Sequence, residues 1–116
     1  MTVKSLRTML RGLLVFRAVY EDSGQDTLYH PEVGEWSLWD VEYLFQESQG
    51  GMLFPRQAQA IELCWVQNMK ESDAAERMGI LPSNPVGMYA NEGARTMIEV
   101  IEAGRMDRFR LDVTAA

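Results

Sequence analysis

Gly79 and the run "PSNP" that ends at Pro85 form the hardest joint in this 116-residue chain, and they separate two strongly periodic apolar patterns. A glycine just past a helix tolerates positive φ and ends it. A proline suits the first position of the next helix, with Ser83 or Asn84 available to cap it. The spacing therefore predicts a short helix from Glu71 to Met78, with Ala74, Ala75 and Met78 inward. It also predicts a long helix from Pro85 to Ala103, closed by Gly104, with Val86, Ala90, Gly93 or Ala94, Met97 and Ile101 on its inward face. Small residues at 74 and 75 let a neighbouring helix approach closely, and Ile80 plugs back into the core.

Upstream of the joint the same logic predicts three more helices. From Val3 to about Tyr20, apolar residues at Val3, Leu6, Leu10, Leu13, Leu14, Val15 and Phe16 follow roughly one helical face, with Lys4, Arg7 and Arg11 beside it. The first reading is a helix packed on the domain with a solvated basic side. The second is a basic arm that touches phosphate or a membrane surface. Glu21 to Gly34 is rich in turn-formers and acids and reads as an acidic connection, in which Tyr29 and His30 form at most a short extended piece with no evident pairing. A helix then starts at Ser37, where Ser-x-x-Asp to Asp40 resembles a capping box. It buries Leu38, Val41, Leu44 and Phe45, and sets Trp39 and Tyr43 four apart on a neighbouring face. A core helix between layers is the simpler account of so many large apolar groups; a partner-binding patch at Trp39 and Tyr43 is the alternative. Gly50 and Gly51 break this helix, Pro55 starts the next, and Arg56 to about Asn68 carries Ala58, Ile61, Cys64 and Trp65 on one face.

The fold class expected is therefore all-α, one compact domain with an appendage. Residues 1–34 form the basic helix and acidic connection, 35–104 the helical domain, and 105–116 a tail containing Arg105, Arg108 and Arg110. The 47% apolar and 24% charged composition suits a globular chain. Cys64 is the only cysteine, which excludes an intrachain disulfide and leaves too few thiolates for a cysteine-based zinc site. It reads as a packed small hydrophobe. The apolar run at the start is interrupted at Arg17, and nothing approaches the roughly 20 apolar residues of a membrane span. A soluble, cytoplasmic protein with no membrane partner is the expectation.

Chemistry points away from catalysis. His30 lies alone in a turn, with no second histidine or cysteine to complete a metal or nucleophile set. Asp40, Glu42 and Glu47 sit on one helix, which cannot by itself enclose a pocket. No phosphate-cradling glycine loop or nucleophile elbow is present. No catalytic residue, cofactor or metal is expected.

The stretch "LFPRQAQAIELCWVQNMKESDAAERMGI" resembles the sigma-factor region 4 and LuxR-type helix-turn-helix superfamily. The matching residues are Leu53, Pro55, Arg56, Gln57, Ile61, Met69, Ala75, Glu76, Arg77, Met78, Gly79 and Ile80, and the likeness extends over residues 53 to about 101. Small phage-encoded sigma-like regulators have a similar character. The resemblance implies that the helix after the joint is a rod presented to the major groove, which is about 12 Å wide. Its exposed tip would be Ser83, Asn84, Gly87, Met88 and Asn91, with Arg95 farther along. Asn84 and Asn91 can pair with adenine; Arg56, Lys70, Arg77 and Arg95 supply the phosphate contacts. The joint is one residue longer than the family spacing, and Arg95 is the only cation in "VGMYANEGARTMIEV".

A net charge of −6 stands against a polyanion as partner. The charge is uneven, however. Residues 1–20 hold Lys4, Arg7, Arg11 and Arg17 and no acid, whereas residues 21–51 hold eight acids and no lysine or arginine. Three readings follow, in this order. A regulator could bind double-stranded DNA, its affinity rebuilt by forming a homodimer or by the terminal arginines. The scaffold could hold RNA polymerase, a sigma factor or another transcription protein, as region 4 does in the resemblance. The acidic segment could mimic DNA.

Overall fold

In the computed structural model, which describes residues 1–31, 34–81 and 85–104, the final helix is the one against which most of the others lean. Elements in order are α1 (Val3–Arg11), α2 (Leu13–Ser23), β1 (Thr27–His30), β2 (Gly34–Ser37), α3 (Leu38–Gln49), α4 (Pro55–Ala60), a π-helical segment (Ile61–Val66), α5 (Glu71–Met78) and α6 (Val86–Glu102). Along α6 the buried residues are Val86, Ala90, Gly93, Ala94, Met97 and Ile101, the stripe expected from the 3.6-residue period. That stripe meets α1, α4, the π segment and α5. The approach is tight at Gly93: a Cβ there would lie 3.1 Å from Ile61 Cδ1 and Leu53 Cδ1 and 3.2 Å from Gln57 Cβ. The glycine lets the side chains of Leu53, Gln57 and Ile61 close directly over the α6 backbone.

Local chemistry explains where most elements begin and end. Ser37 Oγ accepts from the Asp40 N–H at 3.1 Å while Asp40 Oδ2 accepts from the Ser37 N–H at 3.0 Å, so the expected capping box starts α3. Thr2 and Ser5 make the same reciprocal pair at the start of α1. Pro55 opens α4 in the position that needs no N–H, and Gln57 Oε1 reaches back to accept from the Phe54 N–H at 3.3 Å. Asn68 takes a left-handed φ of 55°, and its Nδ2 donates to the Arg11 carbonyl at 3.2 Å, which satisfies an end group of α1. Arg17 of α2 grips Glu42 of α3 with two donors, its Nε donating to Oε1 and its Nη2 to Oε2, the second at 2.8 Å.

Four expectations are corrected. The fold is mostly helical rather than all-α, because Thr27–His30 and Gly34–Ser37 pair antiparallel, in the register Thr27 with Ser37 and His30 with Gly34. Trp36 supplies the reason: it is buried at the hairpin, 5.2 Å from the His30 ring. The first helix is two helices divided at Gly12, and the second runs on through the acidic Glu21 and Asp22 to Gly24, whose φ of 73° ends it. Leu14 and Val15 face outward while Leu6, Leu10, Leu13 and Phe16 are buried. Finally, the helix expected over 56–68 widens into a π segment, in which the Gln67 N–H bonds back to the Glu62 carbonyl at 2.9 Å. The wider turn carries four consecutive side chains inward, Leu63, Cys64, Trp65 and Val66, which a 3.6-residue stripe cannot do.

Replacing Gly93 by leucine should overpack the α4–α6 contact and lower unfolding free energy by about 1–3 kcal/mol. Urea denaturation measures it; an unchanged midpoint would contradict the close approach.

Candidate nucleic-acid interface

The local sequence brings α5 and α6 together in a defined way. Ala74 and Ala75 are fully buried, so α5 presents almost no side-chain bulk to its neighbours. Gly79, at φ 72°, turns the chain: its N–H bonds to the Glu76 carbonyl at 3.1 Å and the Ile80 N–H to the Ala75 carbonyl at 3.0 Å. Ile80 then packs against the core as expected. At the far side of the joint the Pro85 carbonyl accepts from Met88 and Tyr89, at 3.0 and 3.2 Å, and α6 begins.

The expected contact residues fare unevenly. Ser83 and Asn84 lie outside the described residues, as do Arg105, Arg108 and Arg110. Met88 is half exposed, Asn91 is partly buried and Arg95 is exposed. At i, i+3 and i+7 these three follow one outward line along α6. Lys70 is exposed at the residue before α5. Gly87 is not an open tip, because the Glu71 carboxylate lies against it: an added Cβ would fall 1.9 Å from Glu71 Oε1. An anion beside the first turn of α6 sits favourably in that helix's positive end. It also fills the place where a phosphate or base edge would approach.

Arg56 is exposed and drawn to α6. Its Nη1 donates to the Tyr89 hydroxyl at 3.4 Å, and the guanidinium carbon lies 5.9 Å from the ring centroid. Phe54, Pro55, Gln57 and Glu92 complete a shallow apolar groove around this pair, and Phe54 is 75% exposed. Sequence reasoning missed Glu71, Tyr89 and Phe54. No spacing rule links Glu71 to Gly87, since the two meet only where α5 packs against α6. The Tyr89 contact follows from the glycine at 93 drawing α4 onto α6.

Glu92, Glu99 and Glu102 share α6 with Arg95, and Asp73, Glu76 and Arg77 are exposed on α5. The helix pair thus offers isolated cations among carboxylates. Behind it, Cys64 is buried as expected; burial pushes its thiol pKa up, the Glu71 charge adds to this, and Arg11 works against it. On the opposite side of the molecule's sequence order, Trp39 is half exposed and meets Tyr20 edge to face at 5.4 Å, while Tyr43 is partly buried against the core. Among the described residues no group of three or more histidine, cysteine or carboxylate side chains could hold a metal ion, and no helix is long and apolar enough to cross a membrane. No protein-family model, curated protein or solved structure matches the chain.

The raised Cys64 pKa gives a pH-dependent expectation. As pH climbs past about 8.5, where a free thiol ionises, the unfolded chain loses this proton before the folded one, so stability should fall. Iodoacetamide at about pH 8 should label native protein at least about tenfold more slowly than urea-unfolded protein. Equal rates would show the thiol accessible in the folded state.

Proposed function

We propose that the chain is a transcription regulator that binds double-stranded DNA through a helix-turn-helix formed by α5, the Gly79 joint and α6. The observation that carries this reading is the outward line of Met88, Asn91 and Arg95, on a helix whose opposite face is wholly committed to the core. A reading helix needs that combination, a rigid back and an uncovered front with hydrogen-bonding and cationic groups. Asn91 reads a base edge, Met88 offers an apolar contact to a thymine methyl, and Arg95, with Arg56 and Lys70, anchors phosphate. The resemblance to sigma-factor region 4 over residues 53 to about 101 adds to it, and a cytoplasmic, non-catalytic role goes with it. The few cations mean weak binding by a single copy, with a shallow dependence on salt.

Glu71 restrains this binding. Its carboxylate at the first turn of α6 repels a phosphate that would otherwise use the helix end. A second reading, in which an acidic face holds RNA polymerase, a sigma factor or another DNA-binding protein, is favoured by one specific observation: Glu92, Glu99 and Glu102 lie on the same helix as the single Arg95.

Titration of random and genomic duplexes at low and moderate salt separates the roles. Arg95→Ala and Arg56→Ala should each weaken binding to every duplex and lower the salt slope by about one unit. Asn91→Ala should cost about 1–3 kcal/mol on preferred sites and little on random ones. Glu71→Gln should tighten binding to all. If no duplex binds at low salt, the DNA reading fails, and co-purification with polymerase through the α6 carboxylates becomes the expectation.

A further inference from the structure

Tyr89 stands beside the line of Met88, Asn91 and Arg95 and holds a cation that comes from another helix. At about 100° per residue, Tyr89 and Glu92 fall on the flank of α6 between the buried Gly93 and that outward line. The flank lies toward α4, which packs on α6 at Gly93, one turn beyond Tyr89. Tyr89 and Glu92 are partly buried, and Arg56 of α4 reaches across to them from an exposed position.

Two acceptors therefore compete for Arg56. Glu92 lines the same groove and carries the opposite charge, whereas Tyr89 is neutral. Gln57 is not a competitor, because its Oε1 already accepts from the Phe54 N–H. Arg56 and Glu92 form no ion pair. The guanidinium turns to the tyrosine instead, with Nη1 donating to the hydroxyl at 3.4 Å and the guanidinium carbon 5.9 Å from the ring centroid. Tyrosine attracts a guanidinium through its oxygen and its ring face together, and being neutral it leaves the positive charge intact. A carboxylate would cancel that charge. The difference matters to a polyanion, since a free cation that neutralises a phosphate releases counterions and a cation already paired with a carboxylate releases fewer. The remaining N–H groups of Arg56 bond to no described residue and keep their fork geometry for phosphate oxygens.

We infer that Tyr89 is a positioning residue for DNA binding, whose ring and hydroxyl hold Arg56 off the Glu92 carboxylate and keep it a free cation at the flank of α6. This role rests on the DNA reading above. It gives the Arg56–Tyr89 contact a purpose that packing α4 on α6 does not require, because Gly93 already secures that packing.

Two measurements on the full chain test it, one without DNA. In the free protein, the Arg56 Nε–Hε resonance should be insensitive to Glu92→Gln in the wild type. In Tyr89→Leu it should shift, and adding Glu92→Gln should reverse the shift. With random and genomic duplexes, Tyr89→Leu should lower the salt slope by about one unit, as Arg56→Ala does, and should add nothing to Arg56→Ala. Glu92→Gln should restore the slope in the Tyr89→Leu background, which a merely structural role for the tyrosine would not allow. Tyr89→Phe keeps the ring in place and should show both effects in smaller degree, so the test stands even where the leucine variant unfolds. An Arg56 resonance that moves equally on Glu92→Gln with or without Tyr89 overturns the positioning role. So does wild-type DNA binding that Arg56→Ala weakens and neither Tyr89 variant alters. A wild type that binds no duplex removes the DNA reading itself, and this role with it.

Discussion

The near-contact of α4 and α6 at Gly93 is the constraint on which the rest of the molecule depends. With no side chain at 93, Ile61, Leu53 and Gln57 close over the middle of α6 and leave no gap between the helices. Close packing of this kind gives α6 a single position, because interiors of native density do not deform continuously. The π segment extends the same contact by turning four consecutive residues into the core. α6 is thus gripped along one entire side, and only its opposite side is free to meet anything else.

What that free side can do is decided by a few charges. Arg56 leaves its own helix to lie beside Tyr89, so one cation is already committed to bridging α4 and α6. Glu71 occupies the first turn of α6, and glycine at 87 makes room for it. The result is a face on which Met88, Asn91 and Arg95 stand in line with carboxylates close by. Most of the chain's acidity lies in residues 21–51, away from the α6 sequence.

Much of the fold is legible in the chain because local chemistry and burial agree. The inward stripe of α6, the α5 boundaries, the Gly79 turn, the Ser37–Asp40 cap and the Pro55 start all follow from residue type and spacing. The rest depends on long-range packing. The hairpin is hidden because Trp36 looks like a helix flank until His30 is brought beside it. Gly12 divides a continuous apolar pattern, and no spacing rule distinguishes that from one long helix. The π segment is invisible to a 3.6-residue template, which expects Leu63 and Val66 on other faces than Cys64. The candidate site is legible to about the same extent: Met88 and Arg95 stand exposed as the pattern implies, whereas the Glu71–Gly87 and Arg56–Tyr89 contacts arise from the packing of α5 and α4 on α6.

The account's central claim is that the uncovered line on α6 is the surface that meets duplex DNA. Backbone amide chemical shifts of the full chain, followed as a genomic duplex is added at low salt, test it most directly. The predicted result is a set of perturbations centred on Met88 through Arg95, with smaller ones at Arg56 and Lys70. Perturbations confined to the Tyr20–Trp39 region, with α6 unmoved, would contradict it.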